Sequence, residues 1–260
     1  MYRCPFALRE KVNKKLNELE SLDIIEKVSG PSTWVSPMIV VPKRNNDIRL
    51  VVDMRQANKA VIRERQPIPT VDEAFYTMNE GQVFSKLDLN MAFHQIELDE
   101  NSREITTFVT HKGLFRYKRL IFGVNAAPEK YQQIISQCIE GIEGALNLHD
   151  DLCVFGKSLA EHDKALHEVM QRLMDKNLTL NKEKCVYRMD KITFMGHVFS
   201  KHGIGPTKER VKALKEAKRP SNSSEIKSFL GMVNFCERYI PNLATKTEPL
   251  RKLTKKNSNP

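Results

Sequence analysis

The sequence predicts an α+β fold: one sheet-based domain followed by a basic helical appendage. Three observations carry this. Segments with strand character alternate with segments of helical periodicity over the first 200 residues. From about residue 207 only helical periodicity remains. The charge divides at the same place: 14 basic and 5 acidic residues from position 201 onward hold +9 of the formal +10, leaving +1 for the rest.

Each element has its own signal. Leu8, Val12, Leu16 and Leu19 recur at helical spacing, so a helix opens the chain. Gly30-Pro31-Ser32 breaks it off. Residues 35–42 and 48–53 are β-rich and flank a polar turn at Asn45-Asn46-Asp47. A proline-punctuated linker leads to a helix near 71–79, and residues 82–90 are a strand ending on polar residues. A strand pair is expected at 104–109 and 114–118, around His111-Lys112-Gly113. Pro128 opens a helix whose Tyr131, Ile134, Ile135 and Cys138 mark a buried stripe. A hairpin follows at 146–155. Ser158 and Glu161 have capping-box spacing before a helix reaching about 176. The segment from Lys191 to Ile204 is a hairpin turning near Gly196, and Gly203, Gly205 and Pro206 form a hinge. Helices are expected at about 207–218, 223–238 and 246–256.

The bulk numbers exclude some classes. No run of about 18 apolar residues exists, so no membrane span is expected, and the N-terminus lacks a signal-peptide apolar core. The five cysteines are scattered and form no CxxC pair, which argues against a zinc site and fits a reducing compartment. The basic C-terminal part suits a polyanionic partner, or is merely a lysine-rich surface; charge alone leaves both open.

The chemistry concentrates in "LNLHDDLCVF", residues 146–155. Asp150 and Asp151 sit side by side at the bend of an apolar hairpin. Like charges there repel, and burial makes them costly. Either the tip is an ordinary solvated turn or the carboxylates hold a cation. The strand ending "KLDLN" brings Asp88 to a sheet edge. If the two are neighbours, three carboxylates converge, a donor set for hard cations such as Mg²⁺. Two ions about 4 Å apart activate a hydroxyl and stabilise a leaving pyrophosphate. The Leu89 carbonyl is a candidate further ligand.

Five motifs appear in order: "SKLDLNMAFHQIELDE", "RYKRLIFGVNAAPEKYQ", "LHDDLCVFGKSLAEHDKAL", "FMGHVFSKHGI" and "SFLGMVNFCERYIPNLA". Together they resemble the reverse transcriptase of gypsy-like LTR retrotransposon Pol polyproteins, with retroviral polymerases more distant. The resemblance covers about residues 5–256. It implies a right-hand polymerase with a mixed-sheet palm, fingers and a helical thumb. Residues 1–80 would be the N-terminal part of the fingers, 81–200 the palm with a fingers insertion, and 201–260 the basic thumb.

The resemblance also implies roles. Asp88 matches the first catalytic aspartate; Asp150 and Asp151 match the pair of the Tyr-x-Asp-Asp turn. All three would be metal ligands for two Mg²⁺ ions, with Mn²⁺ as an alternative. Phe93 matches the aromatic gate under the incoming sugar, and Leu89 adds to substrate binding. Lys43 and Arg49 resemble the basic pair that holds the triphosphate. Met195, Gly196 and His197 resemble the primer grip. The implied reaction is RNA-directed DNA synthesis on an RNA or DNA template with a primer, from deoxynucleoside triphosphates. The implied setting is intracellular, cytoplasmic or within retroelement particles, without a membrane.

Three departures stand out. Leu148 occupies the usual tyrosine position, with His149 beside it. "VNAAP" replaces the common "TNAP", altering a pocket residue to Ala126. The chain stops after the thumb, so no ribonuclease H domain is expected in it; ribonuclease H and integrase would come from the same polyprotein. Truncation and Leu148 motivate a rival: a domesticated fragment that binds nucleic acid without polymerising. A palm-fold nucleotide cyclase is a second rival, but it leaves the fingers hairpin, Phe93 and the basic thumb unexplained.

Overall fold

Val12, Leu16 and Leu19 form the buried stripe of helix α1 (Arg9–Ser21) in a computed structural model that describes residues 5–42, 47–63 and 70–254. The stripe packs on a five-stranded sheet of order β1-β6-β5-β2-β3. Its strands are β1 (Ile25–Lys27), β2 (Ser36–Pro42), β3 (Ile48–Val52), β5 (Phe108–Thr110) and β6 (Gly113–Tyr117). β2 and β5 run parallel and the other neighbours antiparallel, so this sheet is mixed. The parallel pair arises because the chain leaves after β3, builds other elements, and returns with β5 and β6.

The excursion begins with α2 (Val71–Met78), started by a capping box between Thr70 and Glu73. Strand β4 (Val83–Asp88) follows, then the one-turn helix α3 (Glu100–Arg103). After β6 come α4 (Ala127–Cys138), β7 (Ala145–Leu148), β8 (Asp151–Gly156), α5 (Leu159–Asp175) and β9 (Val186–Met189). The second sheet has the order β7-β8-β4-β9 and is antiparallel throughout.

Strand alternation sorts this sheet into two faces. Leu87, Leu152 and Val154 pack with Tyr131 and Ile135 of α4 and Val169 of α5. Phe84, Leu148 and Cys153 pack on the other face with Phe75 of α2 and Phe194 and Phe199. By the same alternation, Lys86, Asp88 and Asp151 belong to this second face, near its open end. A three-stranded meander adjoins it: β10 (Lys191–Phe194), β11 (His197–Ser200) and β12 (Gly203–Pro206). The chain then runs through α6 (Lys208–Lys215), α7 (Ser223–Asn234) and α8 (Leu243–Lys252).

Several expectations need correction. Residues 104–106 form a 3-10 turn, and β5 starts only at Phe108. The Thr106 and Thr107 hydroxyls donate to the carbonyls of Arg103 and Glu104, each at 2.6 Å, which favours a turn over a ladder. The hinge expected at Gly203–Pro206 is strand β12, paired from Ser200↔Gly203 to His197↔Pro206. Its proline sits at the last strand position on a sheet edge, where a missing N–H is tolerated. The helix expected to reach 238 stops at Asn234, and a separate 3-10 turn holds Glu237–Tyr239. The last helix starts at Leu243, not 246, and the residues from 255 lie outside those described. β1 and β9 have three and four residues, too short for a periodic signal.

Candidate active site

β4 ends at Asp88 and β8 begins at Asp151, and the ladder sets these residues directly opposite each other. The hairpin closes from Leu148 to Asp151, leaving His149 and Asp150 as its two-residue loop. His149 takes a left-handed φ of 55°, as such tight turns require. Gln132 of α4 clamps the loop. Its amide donates to the Asn147 carbonyl and its Oε1 accepts from the His149 N–H, both at 2.8 Å. The three aspartates are thereby brought together at one end of one sheet.

The charges are partly neutralised inside the fold. Lys86 Nζ lies 2.8 Å from Asp151, and Lys184 Nζ lies 3.2 Å from Asp88. Lys184 is delivered by the chain after α5. Asn181 donates its N–H to the Asp88 carbonyl at 2.8 Å, and Cys185 Sγ accepts the Asp88 N–H at 3.3 Å. Asp150 is exposed, with no hydrogen bond or ion pair to another described residue. Desolvation raises its pKa above the ordinary carboxylate value, and the Asp151 and Asp88 charges add to the rise.

Among the described residues, no three His, Cys, Asp or Glu side chains are gathered as a ready metal cage. The donor set still fits hard divalent cations. Carboxylate oxygens are their natural ligands. Asp88 and Asp151 already hold positive charge, in the form of two ammonium groups.

The remaining expected residues fall into two groups. Phe93 follows β4 in a 3-10 turn and is only 5% exposed. Its ring meets Phe122 edge-on at 4.4 Å and tilts against Tyr131 at 5.1 Å. Arg49 of β3 lies over the outer ring, Phe122, at 5.6 Å. Arg49, Phe122 and Phe93 therefore form a file from the first sheet to the aspartate end of the second. Leu89 is buried beside this end and bridges to Leu180. Lys43 lies outside the described residues.

Met195 and Gly196 make the turn between β10 and β11, with φ of 50° and 75°. A side chain at 196 would meet the Arg210 guanidinium at 2.5 Å. His197 is buried, and its Nδ1 is hydrogen-bonded to the Tyr239 hydroxyl at 2.6 Å. Its ring stacks on Phe235 at 5.0 Å and meets Phe75 edge-on at 4.8 Å. Arg210 and Arg238 cap this column, over Phe235 at 3.2 Å and over Phe75 at 4.2 Å. The C-terminal helices are thus joined to the meander and α2 through His197. Desolvation, then Arg210 and Arg238, lower its pKa below the ordinary value.

Sequence reasoning missed Lys86, Lys184, Gln132 and Phe122. Lys86 had a signal: it stands two residues before Asp88, on the same strand face. Phe122 lies in a recognised motif and is 48% exposed, which no pattern reveals. Lys184 and Gln132 arrive by tertiary contact. Elsewhere, a chain of bonds links Ser85 Oγ, His162 Nε2, His162 Nδ1 and Asp163, at 2.8 and 2.9 Å. It looks like a nucleophile triad, but Ser85 and His162 are fully buried. With Arg188 bonded to both Asp163 and Ser85, it braces β4, α5 and β9. A cleft of about 810 Å³ lies at the far end of β8, around Gly144, Gly156 and Lys157, and includes none of the aspartates.

A family described as reverse transcriptase (RNA-dependent DNA polymerase) matches residues 41–199. The Retrovirus-related Pol polyprotein from transposon 412 of Drosophila melanogaster is 35% identical, over 98% of this chain and 21% of the relative. The transposon Tf2-3 polyprotein of Schizosaccharomyces pombe is 30% identical, over 98% of this chain and 19% of the relative. The chain thus spans about a fifth of the length of such relatives. Among solved structures, a foamy viral protease-reverse transcriptase in complex with double-stranded DNA superposes with a TM-score of 0.86 at 23% identity. It covers 100% of this chain and 46% of that one. Another, in complex with an RNA/DNA hybrid, gives 0.81 at 22% identity, covering 99% and 35%. These likenesses establish a reverse transcriptase polymerase fold. With its family matched over more than half its length, the chain belongs to the reverse transcriptase (RNA-dependent DNA polymerase) family.

Proposed function

We propose that this chain is the polymerase part of a retrotransposon Pol polyprotein and catalyses RNA-directed DNA synthesis. The primer 3′-oxygen attacks the α-phosphorus of a deoxynucleoside triphosphate. The bond to the β-phosphate breaks, and pyrophosphate leaves. The observation that carries this reading is the pairing of Asp88 with Asp151, with Asp150 at the adjoining hairpin tip.

In this reading Asp88, Asp150 and Asp151 hold divalent cations, which the family generally uses; here Mg²⁺ is favoured by the all-oxygen donor set. Such ions, when bound, supply an activated primer hydroxyl and charge neutralisation at the leaving group. Arg49 and Lys43 hold the triphosphate. Phe93, backed by Phe122, sets the floor under the sugar, with the Leu89 carbonyl beside it. The Met195–His197 turn positions the primer end. Residues 1–80 act as the N-terminal part of the fingers, 81–200 as palm with the β5–β6 insertion, and 201–260 as a thumb against the nucleic acid backbone. Template, primer, ribonuclease H and integrase partners belong to the same reading, as does a place in the cytoplasm or a retroelement particle. No helix among the described residues is long and apolar enough to cross a membrane.

The test is primer extension on RNA and DNA templates. Asp150→Asn should lower extension at least about 100-fold, some 2.7 kcal/mol of transition-state stabilisation. Its template–primer affinity should stay near the parent's, because binding rests on the basic helices. A variant that extends at the parent rate sinks the site assignment. A parent that binds template–primer but extends nothing, with any divalent ion, favours a binding-only fragment.

A further inference from the structure

Tyr131 of α4 is 1% exposed and packs among Leu87, Leu89, Leu152 and Phe93. Its hydroxyl has no hydrogen-bond partner among the described residues. A buried donor without an acceptor is held at a cost in stability, and phenylalanine would fill the same space without it. The charges that act on this hydroxyl are those of Asp150, Asp88 and Asp151, with Asp150 first. Burial and those charges keep it protonated, so it is available as a donor.

Asp150 is the matching half. Asp88 and Asp151 each have a lysine, but Asp150 has neither an ion pair nor a hydrogen bond among the described residues. A buried unpaired donor thus packs against Leu87, Leu89 and Leu152, the residues that flank Asp88 and Asp151, beside a site in which Asp150 is the carboxylate without a partner among the described residues. Leu148, on the opposite face of the hairpin, is buried and carries no hydroxyl.

We infer that Tyr131 is a positioning residue for Asp150. Its hydroxyl donates to the Asp150 carboxylate, directly or through one water, when that carboxylate turns inward to hold a divalent cation. The inference rests on the polymerase reading above. An outer hydrogen bond of this kind fixes which oxygen a ligand presents, and losing one typically costs about 10–100-fold in metal affinity. The unpaired state is then the resting state, and cation binding relieves it.

The experiment titrates Mn²⁺ alone into the parent, Tyr131→Phe, Asp150→Asn and the double variant. Free ion is read by electron paramagnetic resonance, and Tm is measured without metal. Tyr131→Phe is expected to bind Mn²⁺ about tenfold more weakly, with a Tm equal to or above the parent's. The double variant is expected to bind no worse than Asp150→Asn, since the hydroxyl acts through that carboxylate. Parent affinity in Tyr131→Phe overturns the inference and leaves the polymerase reading standing. A weaker site with a lowered Tm also overturns it, because lost packing then explains both. A further loss in the double variant overturns it as well. A parent that binds no Mn²⁺ removes the reading beneath it.

Discussion

In the four-stranded sheet, Lys86, Asp88 and Asp151 are matched within the fold, Asp88 by Lys184 from the turn before β9, and the strands that carry them are packed on both faces. Along the C-terminal helices and the segment joining α6 to α7, Lys208, Lys215, Lys218, Arg219, Lys227 and Lys246 are exposed and have no ion-pair partner among the described residues. α6 buries no residue, and α7 buries only Ile226, Leu230 and Val233. Under the proposed function, the difference is one of purpose. A carboxylate cluster works only if its oxygens are placed to a fraction of an ångström, which demands a rigid, dry support. A surface that follows a phosphate backbone needs unspent positive charge and tolerates loose packing. A tight link between the regions is the column around His197, where two guanidinium groups stack on aromatic rings.

The comparison predicts that sheet substitutions damage stability and helix substitutions damage affinity. Leu152→Ala should show the largest effect. Leu152 is fully buried between β4 and β7, opposite Leu87 and Asn147. Its truncation should cost about 2–5 kcal/mol, read by chemical denaturation. A loss well under 1 kcal/mol would show that this support is softer than its packing suggests.

Replacing Lys208, Lys215, Lys218 and Arg219 together by Gln should come next. Template–primer affinity should fall by up to about 100-fold at moderate salt. The log–log salt slope should flatten by about 3.6 if each of the four cations meets a phosphate. Stability should change little, since these side chains are exposed and make no ion pair among the described residues. An unchanged slope would move the binding surface elsewhere and erase the contrast.

Phe93→Val should have the smallest effect and sharpens the boundary between support and site. The ring sits in the core yet abuts Phe122 at the mouth. If it also floors the sugar pocket, the ratio of kcat/KM for deoxy- and ribonucleotides should fall by about tenfold, or 1.4 kcal/mol. A lowered Tm with an unmoved ratio would make Phe93 a core aromatic only.

The sequence alone determined the parts that depend on local chemistry. Helical spacing marked α1 and α4, capping marked α5, and the apolar run interrupted by Asp150 and Asp151 marked the hairpin. These are legible because turn, cap and amphipathic stripe are set by residues within one or two turns of one another. The three aspartates were legible as site candidates through the resemblance carried by the five ordered motifs; local pattern alone left an ordinary solvated turn equally open. Only the tertiary structure decided the rest. It set Asp88 opposite Asp151, delivered Lys184 and Gln132, and turned a glycine-rich hinge into β12. It buried Phe93 and left Phe122 at the surface. It also left the Tyr131 hydroxyl without a partner among the described residues. The reason is physical. Cross-strand register, ion pairing and hydrogen-bond satisfaction depend on groups tens of residues apart, and no local pattern carries that information.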